Sequence, residues 1–195
     1  MLEYESCHGL EIEPYLEALG GLRIAVFREF PYLYEGTLEA EREYLQVYVR
    51  SPRSMVAFVR DGGRTVGATT CVPLSEEGPE FQAPYINAGY DLAEWLYFGE
   101  SLLLPEYRGQ GVGKEFMRRR LEHARSLPGV KFCTFCAVDR PEDHPLRPAG
   151  YRPLDGFWIQ QGFAKQPRLQ AQFTWKEIGR EEETTKTLTF WTKQL

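Results

Sequence analysis

Between Arg108 and Lys114 the chain reads Arg-Gly-Gln-Gly-Val-Gly-Lys, with glycine at every second position. Ahead of it the apolar run Leu102-Leu103-Leu104 stops at Pro105, which lacks the N–H needed to continue a ladder. Behind it Phe116, Met117, Arg120 and Leu121 recur at helical spacing among basic residues. Glycines at a strand-to-helix junction let the backbone approach a ligand closely. The free N–H groups and dipole of a helix's first turn favour a phosphate there. The chemistry implied is capture of a pyrophosphate. A nucleoside-triphosphate loop, Gly-x4-Gly-Lys-Ser/Thr, fails twice: Arg108 stands where its first glycine belongs and Glu115 where its hydroxyl belongs. The dinucleotide fingerprint Gly-x-Gly-x-x-Gly fails too, because its last glycine would fall on Lys114 or Phe116.

The spacing that fits is Arg/Gln-x-x-Gly-x-Gly/Ala, met by Arg108, Gly111 and Gly113 after an apolar strand ending in Pro-x-x-Arg. This resembles the acetyl-CoA-binding motif of the GNAT superfamily of N-acetyltransferases. The resemblance implies an α/β (α+β) fold, with a mixed, mostly antiparallel central sheet of about six to seven strands flanked by about four helices and splayed between its fourth and fifth strands. It implies acetyl-CoA as cosubstrate and no metal. Its pyrophosphate would sit on the amides of Arg108, Gly109, Gln110, Gly111, Val112, Gly113 and Lys114. The backbone of Leu102, Leu103 and Leu104 would meet the pantetheine arm and the acetyl carbonyl.

The elements that must position this junction follow from periodicity. Leu16, Leu19, Val26 and Phe27 give a helix over Pro14 to Arg28, weakened by Gly20-Gly21 and ended by Pro31. Thr37 can cap a second helix carrying Leu38, Leu45 and Val49 as far as Ser51-Pro52. Met55 to Arg60 and Thr65 to Pro73 read as a hairpin about the turn Asp61-Gly62-Gly63. Residues 75–94 read as a loop with a short helix near Asp91. Trp95 to Leu104 is a strand, Gln110 to Leu127 a helix and Val130 to Val138 a strand. A proline-rich loop, Pro141 to Pro153, precedes a short helix around Leu154 to Gln161. Leu169 to Ile178 and Thr187 to Thr192 then pair across the acidic loop Arg180 to Glu183. That order also matches the family. So does Phe157-Trp158-Ile159-Gln160-Gln161-Gly162-Phe163, which looks like the aromatic helix ending in Gly-Phe that follows the family's fifth strand.

In the family an amine attacks the thioester directly while both substrates are bound, so the protein must position two molecules, remove a proton and let a thiolate leave. Glu100, the only carboxylate in the strand just before the cofactor segment, is the candidate base. Strand alternation puts Trp95, Tyr97 and Gly99 on one face and Glu100 on the other unless a bulge re-aims it; Tyr97 and Glu94 are the reserves. The family's usual acid, a tyrosine before the Gly-Phe pair, is Trp158 here, and an indole cannot serve. Tyr151 is the substitute, or the thiolate leaves unprotonated. Acceptor contacts fall to Tyr97, Trp158 and the charged loop carrying Asp139, Arg140 and Arg147. The same loop also reads as solvated surface charge. Cys133-Thr134-Phe135-Cys136 lies within a strand, so its two thiols face opposite ways and read as buried apolar cysteines.

Composition bounds the rest. The 195 residues, 43% hydrophobic and 14% aromatic, suffice for one domain, residues 1–195. Lysine and arginine total 23 against 28 acids, a formal charge of −5, which argues against a general nucleic-acid or anionic-membrane binder. Four cysteines and an acidic amino terminus point to a cytoplasmic, reduced protein, and no apolar run approaches the roughly 18 residues of a membrane span. The expected function is acetyl transfer to a primary amine of a small molecule or peptide, with homodimers common among relatives. A non-catalytic acyl-CoA sensor, or an enzyme using another acyl group, remains open.

Overall fold

The computed structural model describes residues 1–195. Its elements are β1 (Glu3–Cys7), α1 (Leu16–Phe27), α2 (Leu38–Tyr44), α3 (Gln46–Arg50), β2 (Met55–Asp61), β3 (Arg64–Pro73), α4 (Pro79–Asn87), β4 (Trp95–Tyr97), β5 (Ser101–Leu103), α5 (Val112–Ser126), β6 (Phe132–Val138), α6 (Asp155–Gln160), β7 (Ala164–Lys176) and β8 (Glu183–Gln194). The strands form one sheet in the order β1-β2-β3-β4-β6-β8-β7, with β5 paired to β3. Only β4–β6 is parallel.

The mixed, mostly antiparallel sheet is the expected one, with eight strands instead of six to seven. β1 adds an edge against β2, and the strand expected over Trp95 to Leu104 is broken into β4 and β5. Thr37 does cap α2, its hydroxyl accepting from the Ala40 N–H, but the helix breaks at Leu45 before α3. The segment expected as a loop holds α4, which begins with proline in its first turn, where the missing N–H costs nothing. Asp91 caps a short 3₁₀ turn. Gly20 and Gly21 do not interrupt α1.

Helices cover both faces. On one, α1, α3 and α4 bury Leu19, Tyr48, Phe58, Ala68, Leu102, Tyr85 and Phe190. On the other, α5 and α6 bury Leu96, Phe98, Met117, Cys133, Phe135 and Trp191. Alternation along β4 places Trp95 and Tyr97 toward α4, and Leu96 and Phe98 toward α5. Four residues after Phe98 the parity has reversed, because Leu102 packs with α1. The cause is a β-bulge opposite Thr70. Gly99 N–H donates to the Thr70 carbonyl at 3.2 Å, and Thr70 N–H donates to the Glu100 carbonyl at 3.1 Å, so two residues face one.

Gly99 is required there. A Cβ on it would lie 1.9 Å from Tyr48 Oη and 2.7 Å from Thr70 Oγ1. The bulge also splits the sheet. Phe98 N–H still donates to the Thr134 carbonyl at 2.7 Å, but beyond it β5 stays with β3 while Phe135 to Val138 stay with β8. A gap opens between β5 and β6, which is the splay expected between the fourth and fifth strands. Gly99→Ala should destabilise the protein by about 1–3 kcal/mol, the usual cost of an overpacked core. Denaturant melts check this, and an unchanged midpoint would show that Tyr48 and Thr70 do not constrain this residue.

Candidate active site

Two cavities flank the gap. The first, about 550 Å³, lies on the α5–α6 side and is walled by Phe98, Phe135, Trp158 and Trp191, with Arg120 from α5 and Tyr151 from the loop before α6. The second, about 560 Å³, lies on the side of α1, α2 and α4 and is walled by Tyr32, Tyr44, Phe81, Tyr97 and Trp175, with Arg23, Glu41 and Glu100. Phe27, Tyr32, Gly99 and Cys136 line both. The two spaces therefore meet at the bulge, and a group bound in one can reach a group bound in the other.

The open edge of β5 offers fewer free groups than expected. Leu104 N–H donates to the Val66 carbonyl at 3.0 Å, so in this antiparallel ladder Leu104 and Leu102 turn their backbone groups to β3. Ser101 and Leu103 turn theirs to the gap. Of Leu102, Leu103 and Leu104 only Leu103 faces it, and its carbonyl accepts from Arg108 Nε at 3.1 Å.

The glycine loop forms an amide nest at the start of α5. Gly109 and Gly111 have φ of 77° and 86°, values a side chain rarely adopts, and this points successive N–H groups outward. Arg108 N–H is spent on the Pro105 carbonyl and Lys114 N–H on the Gly111 carbonyl. The free amides are therefore those of Gly109, Gln110, Gly111, Val112 and Gly113, a shorter run than expected. The loop is exposed apart from Val112, which anchors it in the core beside Phe116. Phe157 of α6 stands 3.8 Å from where a Gly113 Cβ would be, so the nest opens beside the first cavity.

Glu100 is re-aimed by the bulge into the layer that also holds Tyr97. It is 1% exposed, and its carboxylate pairs with Arg23 and accepts from the Thr70 hydroxyl and from Tyr48 Oη at 2.7 Å. Arg23 also pairs with the buried Glu41. Burial alone would lower the Arg23 pKa, but the charge of Glu100, with Tyr44 and Glu41, outweighs it and holds the guanidinium above its ordinary range. Burial, with Glu100 nearby, pushes the Tyr48 phenol far up. Glu100 thus lies in the second cavity's wall as part of a satisfied cluster, and not as the free carboxylate its sequence position suggested.

The other expected residues separate between the cavities. Tyr97 lines the second, its hydroxyl 3.2 Å from Cys136 Sγ. Tyr151, Asp139, Arg140, Arg147 and Trp158 line the first, away from Glu100 and Tyr97. Asp139 and Arg140 are not free to hold an acceptor: Asp139 accepts from Thr189 and Lys165, and Arg140 binds the Pro31 and Tyr32 carbonyls and Glu177. Arg147 lies over the Tyr151 ring at 5.3 Å. Trp158 packs against Phe135 and Trp191 at 4.9 and 5.1 Å between ring centres. Burial raises the Tyr151 pKa, so its hydroxyl keeps its proton at neutral pH. All four cysteines are free and buried, and Cys133 and Cys136 face opposite layers.

Four buried charges were not anticipated from the sequence: Arg23, Glu41, Arg120, which reads there as part of a mostly solvated basic helix face within reach of a nucleotide phosphate, and Glu77. The first three have a signal: each is a charge within the apolar stripe of its helix. Glu77 has none, since it lies in the turn after β3 and is buried by packing from distant segments.

The chain belongs to the acetyltransferase (GNAT) family, whose model matches residues 22–148. Solved structures share the fold across its whole length. An acetyltransferase from Thermus thermophilus is 20% identical with a TM-score of 0.55, over 100% of this chain and 97% of that one. A ribosomal-protein-alanine N-acetyltransferase from Brucella melitensis is 18% identical with a TM-score of 0.61, over 98% and 99%. NAA60 from Arabidopsis thaliana, solved with a bisubstrate analogue, is 11% identical with a TM-score of 0.60, over 100% and 99%. No protein of curated function matches the chain in sequence.

Glu77 supplies a pH dependence. Its Oε2 accepts from the Gly78 N–H at 3.0 Å while Oε1 is buried without a partner. Burial, only partly offset by that N–H, lifts its pKa to about 8. Between the usual carboxylate range and about pH 8 the folded state binds the extra proton. Stability therefore falls as pH rises through that window, by up to about 1.4 kcal/mol per unit. Glu77→Gln should flatten that fall in denaturant midpoints taken from pH 5 to 8; a variant that keeps the wild-type slope sinks the assignment.

Proposed function

We propose that residues 1–195 form one catalytic domain that transfers an acetyl group from acetyl-CoA to a primary amine of a small molecule or peptide by direct attack in a ternary complex. The observation that carries this reading is the pair of cavities meeting at the Gly99 bulge from the two sides of the split sheet. One entrance lies beside an amide nest, and the other is aromatic and bordered by carboxylates. The free amides of Gly109 to Gly113 suit the pyrophosphate. The gap-facing backbone of Ser101 and Leu103 suits the pantetheine arm, and the first cavity suits the thioester end.

The acceptor enters by the second cavity, where Glu35, Glu41, Glu100 and Glu183 outnumber Arg23 and Lys176, a balance that favours an ammonium group. The amine nitrogen bonds to the thioester carbonyl carbon and the carbon–sulfur bond breaks. In this reading one ammonium proton passes to Glu100 before attack, and the second N–H proton, released as the tetrahedral intermediate collapses to the amide, leaves with the thiolate as the CoA thiol. Protonating Glu100 leaves Arg23 still paired with Glu41, so the buried guanidinium keeps a counter-ion. Trp158 has no hydroxyl to offer the sulfur. Tyr151, in the same cavity and protonated at neutral pH, hydrogen-bonds the departing thiolate. The four free cysteines suit a reducing compartment such as the cytoplasm, and no helix is long and apolar enough to cross a membrane.

Calorimetric titration of acetyl-CoA tests the coenzyme half. Gly113→Glu puts a carboxylate against the nest at a residue of ordinary φ, where a Cβ meets only Phe157 at an ordinary van der Waals distance of 3.8 Å, so it should weaken binding more than about tenfold without lowering the melting temperature. Absence of binding by the wild type would sink the reading. For the chemical half, Glu100→Gln assayed over a panel of primary amines should lower kcat by about 10²–10⁴ while acetyl-CoA affinity holds. A folded variant with wild-type kcat would remove Glu100 from the base role.

A further inference from the structure

The first cavity contains a cation, Arg120, that no carboxylate contacts, although the charge of Glu100 acts on it across the bulge. The buried stripe of α5 runs Val112, Phe116, Met117, Arg120, Ala124, so a guanidinium occupies a place where its neighbours are apolar. Arg120 is 5% exposed. Its guanidinium carbon lies 4.4 Å from the centre of the Phe98 ring, and Nη1 is 3.5 Å from the Glu100 carbonyl oxygen. Its Nε is buried with no hydrogen-bond partner, and no carboxylate pairs with it. Burial draws its pKa down to about 10, so it remains charged at neutral pH. The other cations of the cavity are engaged: Arg140 with Glu177, Lys165 with Asp139, and Arg147 over the Tyr151 ring.

A buried, unpaired guanidinium is unfavourable unless an anion joins it. The coenzyme's pyrophosphate is badly placed for that. From Val112, at the nest, to Arg120 is about 12 Å along the helix axis, at 1.5 Å per residue. Arg120 lies instead beneath the bulge, next to the Glu100 carbonyl and one residue from Gly99, where the two cavities meet. That is the acyl end of the site. An acetyl group would bring only a methyl to the guanidinium, whereas an acyl chain ending in a carboxylate would bring the missing counter-ion, in the bidentate geometry arginine favours.

We propose that the donor site is built for a dicarboxylic acyl-CoA thioester, with Arg120 pairing with the acyl group's free carboxylate as the residue that sets acyl specificity. The proposal rests on the CoA-thioester transfer proposed above and departs from it in one respect, replacing the acetyl group by a dicarboxylic acyl group. The transfer balances as before: the amine nitrogen–carbonyl carbon bond forms, the carbon–sulfur bond breaks, one ammonium proton goes to Glu100 and the second leaves with the sulfur as the CoA thiol, and the distal carboxylate passes unchanged into the product.

The test needs no acceptor. CoA, acetyl-CoA and succinyl-CoA are titrated calorimetrically into the wild type and into Arg120→Met, which keeps most of the side chain's length and removes its charge. The wild type should bind succinyl-CoA at least about tenfold more tightly than acetyl-CoA, and in the variant that ratio should fall to about one. Wild-type binding of acetyl-CoA as tight as or tighter than succinyl-CoA overturns the proposal, as does a ratio that survives the substitution. If the variant does not fold, the wild-type ratio decides alone. If none of the three ligands binds, the acyl-CoA reading itself falls, an outcome distinct from binding without acyl preference.

Discussion

At residue 99 there is no volume for a side chain, because the Tyr48 hydroxyl and Thr70 occupy the space a Cβ would need. The strand answers with a bulge, and three consequences follow from that one backbone step. The parity of the strand reverses, so Glu100 turns to the layer of α1 and α3 although Phe98 faces α5. The ladder to β6 ends, so β5 and β6 separate and each leaves an edge open. The cavities on the two sides come into contact at the same residue. Without the bulge, Glu100 would face α5 and β5 would continue along β6, closing the gap.

The bulge is held by charges placed where helices normally carry apolar groups. Arg23 of α1 and Glu41 of α2 lie in the stripes that bury Leu19 and Leu45, and they join Glu100 in a cluster closed by Tyr48 and Thr70. Removing one partner from such a buried pair costs about 3–5 kcal/mol, because the remaining charge is left uncompensated. The cluster is thus stable only as a whole, which fixes the orientation of Glu100. Arg120, on the opposite side of the same bulge, contrasts with it. It has a ring beneath it and a carbonyl nearby but no carboxylate.

The parts of this structure legible in the sequence are those written in local order. The glycine loop, its strand and its helix are contiguous, so their residue types and spacing suffice. The hairpin about Asp61-Gly62-Gly63 is likewise set by its turn residues. What escaped depends on partners far away in the chain. Arg140 and Asp139 looked available because their neighbours are solvated loop residues, yet Arg140 is bound by carbonyls more than a hundred positions earlier. β1 exists because an edge of β2 was free to receive it, a fact no property of Glu3 to Cys7 announces. Arg23, Glu41 and Arg120 were visible as charges inside apolar stripes. Weighed one by one as surface residues, they look like solvated charge; weighed against the periodicity around them, they mark buried polar sites.

The division of labour across the sheet also accounts for Trp158. The first cavity's wall carries Phe98, Phe135, Trp158 and Trp191, with Phe163 behind it in contact with Phe98 and Phe135, and an indole completes it with a larger apolar surface than a phenol would. A wall of that kind lowers the local dielectric, which strengthens the field of any charge left inside it. The charge left inside is the Arg120 guanidinium. The loss of a hydroxyl at Trp158 and the presence of an unpaired cation beside the same rings are therefore connected: a drier pocket makes a single fixed positive charge count for more at the point where the two cavities meet.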